Sequence, residues 1–241
     1  MIDVKIWNQE STDWRFVMER GGDCAPLTLR AVGPDHALVV NLGQDATAET
    51  ARRGAAKAVK AVRELGAQSL LLDVTGIKRA LGAEGLAAAA QGAELACYRQ
   101  ECWKEQEDKP FTLYIAGAED MDAEAVLQRT RAVTRAVCLA RDMTNRPVNM
   151  LTPALMAVTM AEAAEKAGVE VDILRKKQTR ALGMGAYHAV GDSAAHPPRL
   201  IVLRWKGGKK GDAPIALVGK GVCFDTGGYN SKTGPGPEVL R

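Results

Sequence analysis

Two continuous apolar runs, SLLLDV at residues 69–74 and FTLYIAGA at residues 111–118, flank a long Ala-rich stretch with helical character. An uninterrupted apolar run of this length is what a strand buried on both faces requires, and such strands belong to parallel sheets covered by helices. The surrounding sequence repeats the alternation. The span 31–41, which takes in most of HALVVNL (residues 36–42), reads as a strand, and Asp45 is a plausible N-cap for an Ala-rich helix over residues 46–65 that Gly66 closes. A second helix is expected over residues 84–105, where Cys97, Tyr98, Cys102 and Trp103 would pack into the core. Strand, helix, strand, helix in this order predicts an α/β layer arrangement with mostly parallel pairing.

Asp120 and Asp122 open a further helix reaching about residue 143, with Val126, Val133, Val137 and Leu139 among its apolar positions. NRPVNMLTP (residues 145–153) then breaks the periodicity with two prolines. Thr152 and Pro153 supply an N-cap and an N1 proline for a helix over residues 153–166, which Gly168 ends. Strands follow at residues 169–175, 199–205 and 214–218. The fold class expected is α/β with two domains: a smaller N-terminal domain over residues 1–120, a connecting helix over 121–143, and the incomplete start of a second α/β domain over 144–241.

Charge excludes some partners. Thirty-two basic residues against 29 acidic ones give a formal charge of +3, too even for nucleic acid or an anionic membrane to be the main partner. KGGKK at residues 206–210 reads as an exposed turn. The 5 cysteines (Cys24, Cys97, Cys102, Cys138, Cys223) are scattered and form no C-x2-C pair, which points to reduced thiols rather than a disulfide framework or a zinc ribbon. No apolar leader opens the chain and no run reaches the length of a membrane span, so the expected location is the cytoplasm.

The chemistry concentrates in APIALVGKGVCFDTGGYNSK, residues 213–232, where an expected buried strand feeds a glycine-broken loop with the spacing Lys220-x4-Asp225-x6-Lys232. Apolar neighbours and glycines suggest that some of these charges are poorly hydrated, which is costly without a compensating role. An aspartate can bridge two cations with its two oxygens. A lysine can ligate only as the neutral amine, with its pKa brought down from about 10.4, and a protonated lysine can stabilise an oxyanion. Spacing alone leaves both a metal centre and solvated lysines open. It does not make a P-loop, because Lys220 is followed by Gly221 rather than Ser or Thr.

VGKGVCFDTGG followed by Lys232, NRPVNMLTP, and LGMGAYHAVGDSAAHPPRLIVLRW (residues 182–205) together resemble the leucyl aminopeptidase family of dinuclear cytosolic metallo-aminopeptidases. A looser likeness to that family's N-terminal domain runs through RRGAAKAVKAVRELGAQSLLLDV and AELACYRQECW. The resemblance implies that Lys220 ligates one metal, Asp225 bridges two divalent ions (Mn2+ or Zn2+), and Lys232 polarises the scissile carbonyl. It also implies peptide substrates, preferably with apolar N-terminal residues, and a homohexamer. Cys223 stands where Thr or Ser is common in the family, and Ser231 where an apolar residue usually precedes the lysine. The family's further carboxylate ligands have no counterpart after Lys232, where Glu238 is the sole carboxylate, so this chain reads as a fragment holding part of a site and inactive alone. A non-catalytic protein that keeps the fold is the alternative. His188 and His196, taken to lie on a loop without a carboxylate at helical spacing, read as structural or surface residues, and His36 as a turn residue.

Overall fold

The computed structural model describes residues 2–8, 12–19, 29–32, 37–43, 45–100, 110–119 and 122–224. The chain divides into two compact units, Met1–Asp142 and Met143–Arg241, each described by itself below.

The first unit is built on a six-stranded sheet: β1 (Asp3–Ile6), β2 (Arg15–Glu19), β3 (Leu29–Val32), β4 (Ala37–Asn41), β5 (Ser69–Asp73) and β6 (Thr112–Ala116). Their order across the sheet is β1-β6-β5-β2-β4-β3. Every pairing is parallel except that of β3 with β4, so the expected mostly parallel α/β sheet is present. The two apolar runs, β5 and β6, lie side by side near its centre, with Leu70, Leu72, Leu113 and Ile115 at most 1% exposed. Each such side chain contributes about 1.5–3 kcal/mol on burial.

Several boundaries differ from expectation. The single strand expected within residues 31–41 is an antiparallel pair, β3 and β4, and the intervening GPDH carries a Gly-Pro breaker; the expected turn at His36 lies outside the described residues. Strands β1 and β2 were not anticipated. Their short, charge-bearing segments become strands by pairing: β2 sits between β4 and β5 with Phe16 and Met18 buried. Asp13 fastens the entry to β2 by accepting the Gln68 and Ser69 amides at 2.7 and 2.9 Å, and Arg15 bonds Asp73 at 2.8 Å across the β2–β5 pair.

Helix α1 (Ala48–Glu64) is capped by Thr47 rather than Asp45. The Thr47 hydroxyl accepts from the Thr50 amide at 3.2 Å, and the Thr50 hydroxyl accepts from the Thr47 amide at 2.8 Å. Helix α2 (Thr75–Ala96) starts earlier and ends earlier than the expected 84–105. Asp73 accepts the Thr75 amide at 3.0 Å, giving the first turn a partner, and Gly82 interrupts the helix with φ 58°. Cys97 and Tyr98 follow the end of α2, partly exposed, instead of lying inside a longer helix; Cys102 and Trp103 lie outside the described residues. Helices α1 and α2 meet along small residues, and Gly92 lies directly against the Arg52 backbone.

Helix α3 (Ala123–Asn145) buries Ala123, Leu127, Thr130 and Thr134, an i, i+4, i+7, i+11 stripe. Val133 faces solvent instead, because it falls off that stripe. The two threonines are accommodated by donating to the Val126 and Thr130 carbonyls at 2.8 and 3.0 Å.

The second unit contains α4 (Pro153–Lys166), β7 (Glu170–Arg175), α5 (Lys176–Ala181), α6 (Gly185–Gly191) and β8 (Arg199–Arg204). As expected, Thr152 caps α4, accepting from the Leu155 amide at 3.3 Å, and Gly168 leaves it at φ 72°. Strands β7 and β8 form an antiparallel pair. Lys206–Lys210 is exposed, with Lys206 bonding Glu170 at 2.7 Å. The strand expected at residues 214–218 is absent. Residues 212–222 carry no regular structure, and Ile215, Leu217 and Val218 are 91%, 94% and 97% exposed. An apolar run becomes a buried strand only by laddering to neighbours, and among the described residues this unit's sheet is the β7–β8 pair alone. No helix among the described residues is long and apolar enough to cross a membrane.

Candidate functional site

Of the three charged residues singled out in the sequence, Lys220 is described, and Asp225 and Lys232 lie outside the described residues, as do Ser231 and Glu238. Lys220 sits in the irregular segment after β8 and is exposed, contrary to the expected desolvation. The flanking apolar residues cannot shield it, because Val218, Val222 and Phe224 are themselves exposed.

Cys223 is half-buried, and burial pushes its thiol up from the usual range. Gly221 lies near α4: a Cβ there would stand 3.5 Å from Met156 Sδ. Among the described residues no group of three His, Cys, Asp or Glu side chains is gathered to hold a metal ion. A single exposed lysine does not form a metal centre, since such sites use three or four donors. The described residues therefore do not by themselves fit a divalent ion.

A hydrogen-bonded polar cluster of this unit lies elsewhere. His188 is on helix α6 rather than on a loop, and Asp192 does stand at helical spacing from it, with Nδ1 2.9 Å from Asp192 Oδ1. On the other side, Nε2 is 3.0 Å from the hydroxyl of the fully buried Thr179. Arg180 and Lys176 also bond Asp192, and with His188 they hold its carboxyl far below the usual carboxylate range. The Thr179 hydroxyl also lies 3.1 Å from the Lys176 carbonyl, to which it can donate. Acid, imidazole and hydroxyl are thus in line, but the hydroxyl is sealed from solvent, so the cluster clamps α5 to α6 and is no nucleophile. The structural role expected of His188 holds. The i, i+4 pairing of His188 and Asp192 in YHAVGD was the signal that could have revealed the clamp. His196 is exposed.

Residues 27–107 match the model of the cytosol aminopeptidase family, N-terminal domain, and residues 138–239 match that of the cytosol aminopeptidase family, catalytic domain. The chain belongs to the cytosol aminopeptidase family. A probable cytosol aminopeptidase of Rhizobium johnstonii is 36% identical over 216 residues, covering 86% of this chain and 43% of that protein. One from Sinorhizobium medicae is 38% identical over 200 residues, covering 79% and 39%. The chain thus spans less than half the length of these curated relatives. Among solved structures, the bottromycin maturation enzyme BotP in complex with Mn superposes with a TM-score of 0.64 at 28% identity, over 80% of this chain and 45% of that one. A mutant tomato leucine aminopeptidase gives a TM-score of 0.80 over 94% of this chain and 55% of that one. At 20% identity it attests the cytosol aminopeptidase fold alone.

Proposed function

We propose that this chain is part of a metal-dependent aminopeptidase that removes N-terminal, preferably apolar, residues from peptides in the cytoplasm. The observation that carries the reading is the Lys220-x4-Asp225-x6-Lys232 stretch inside the segment that matches the family's catalytic domain. In this reading Lys220 and Asp225 are metal ligands and Lys232 polarises the scissile carbonyl. Two divalent ions, Mn2+ or Zn2+, complete the site, and a relative of 28% identity solved with Mn supports a divalent metal. The division into residues 1–120, a connector over 121–143 and a catalytic segment over 144–241 belongs to the same proposal, as does a homohexamer.

The chain taken alone is proposed to be an inactive fragment. Its span of 43% of a relative's length, the exposed Ile215, Leu217 and Val218, and the single described donor Lys220 support this. The same observations favour the second reading, a non-catalytic protein that keeps the fold. Hydrolysis of leucine p-nitroanilide with added Mn2+ or Zn2+ separates them. Metal-dependent release is expected from a protein extended to the length of its relatives and not from the 241-residue chain. Absence of release from the extended protein would refute the peptidase reading, and robust release by the chain alone would refute its fragment status.

A further inference from the structure

The first unit holds a cavity of about 470 Å³, bounded by β1, the end of α2 and one face of α3, whose described lining residues have no part in the proposed chemistry. That volume lies in the range of about 300–1,000 Å³ typical of small-molecule sites. Charges of both signs line it. Glu94 stands on the α2 side, and Arg63, Arg131 and Arg135 surround it, while Val4, Phe111 and Leu139 supply an apolar wall.

Glu94 is the informative group. Its side chain is only 9% exposed, yet the Arg131 guanidinium nitrogen nearest to it is 4.0 Å away, too long for a hydrogen bond. Arg131 is itself engaged with the Val4 carbonyl. Burial pushes its carboxyl up from the usual range, and Thr134 and the charges of Arg131 and Arg135 offset that only in part. A largely buried carboxylate whose nearest described cation stands 4.0 Å away is only partly compensated, and a cavity wall is where an incoming cation can add to that pairing. Arg63, over the Phe111 ring at 5.9 Å, and the exposed Arg135 on α3 are the cations that can meet an incoming anion there.

We propose that this cavity binds a free α-amino acid with an apolar side chain: its ammonium on Glu94, its carboxylate on Arg135 and Arg63, and its side chain against Val4, Phe111 and Leu139. A simple anion is disfavoured because it would enter beside the buried carboxylate, and a simple cation because it would enter beside the arginines. A zwitterion meets both, with charge-assisted hydrogen bonds at each end. The inference is independent of the peptidase reading, since no metal and no hydrolysis enter it.

The test is calorimetric titration of L-leucine, L-methionine and L-phenylalanine into the metal-free 241-residue chain, beside leucinamide, which lacks the carboxylate, and 4-methylpentanoate, which lacks the ammonium. At least one amino acid is expected to bind with a Kd below about 1 mM, with both truncated analogues of leucine about tenfold weaker than leucine or worse. Glu94→Gln and Arg135→Met should each weaken amino-acid binding by about tenfold or more. Arg135 is exposed, so its replacement keeps the test valid even if the Glu94 variant does not fold. Absence of heat from all three amino acids at about 10 mM, 4-methylpentanoate binding as tightly as leucine, or an Arg135→Met chain that binds like the wild type would each overturn the proposal.

Discussion

Replacing Gly92 by alanine places a methyl carbon inside the backbone of the neighbouring helix. The new Cβ would lie 2.0 Å from the Arg52 carbonyl oxygen, 2.7 Å from its carbon and 2.9 Å from its Cα. The closest ordinary C···O approach is about 3.3 Å, so α1 and α2 would have to separate locally by about 1.3 Å. No flexible side chain can yield, since all three atoms are backbone. Overpacking of this kind costs about 1–3 kcal/mol or more, and the separation also opens the Ala-rich seam of Ala51, Ala55, Ala89 and Ala93, all at most 1% exposed. Alanine returns about 1 kcal/mol of helix propensity, so overpacking alone leaves about 0–2 kcal/mol, and the opened seam brings the expected net loss to about 1–3 kcal/mol. Urea denaturation followed by far-ultraviolet circular dichroism reads it directly. Gly82→Ala is the comparison: no neighbouring atom lies within 4 Å, and its cost is the backbone conformation alone, φ 58° with ψ −140°, about 1–3 kcal/mol. A Gly92→Ala chain within about 0.5 kcal/mol of the wild type would refute close backbone packing as what holds α1 to α2.

Three further outcomes are expected. Thr152→Ala removes the side-chain cap of α4 and should cost about 1 kcal/mol of stability in the same denaturation assay. Tyr187→Phe should be neutral or slightly stabilising by thermal melting, because the Tyr187 hydroxyl is buried without a hydrogen-bond partner among the described residues. Glu94→Gln should change the pH dependence of stability: a carboxyl whose folded pKa is raised binds its proton more tightly folded than unfolded, so its favourable contribution is present in acid and lost as pH rises through the raised value. Denaturation midpoints at pH 4 and pH 7 should therefore favour the glutamine variant increasingly toward neutral pH.

The central strands were legible because β5 and β6 are apolar on every side, and a strand buried on both faces needs no partner's identity to be recognised. Helix α4 was legible because Thr152, Pro153 and Gly168 are local signals. Strand β2 was not, because RFVME gains its strand character from β4 and β5 on either flank, through long-range pairing. The 22-residue α2 was misplaced because its start depends on Asp73, a residue outside the helix, and its interior tolerates a left-handed glycine. The run at residues 214–218 shows the converse failure. IALV has the composition of a buried strand, yet composition supplies no neighbour to ladder with, and the run is exposed. At the candidate site the residue types were legible from spacing and resemblance, whereas whether their environment is dry or wet depends on tertiary cover that spacing does not encode, as the exposed Lys220 illustrates.

The most direct test of the central claim is a Mn2+ titration of leucine p-nitroanilide hydrolysis, comparing Asp225→Ala with the unaltered sequence in a protein extended to the length of its relatives. Saturable, Mn2+-dependent release that the substitution lowers by about 100-fold or more, some 2.7 kcal/mol of transition-state stabilisation, is the predicted result. Release that is independent of metal, or that survives Asp225→Ala unchanged, would contradict the assignment of the Lys220-x4-Asp225-x6-Lys232 stretch to the catalytic centre.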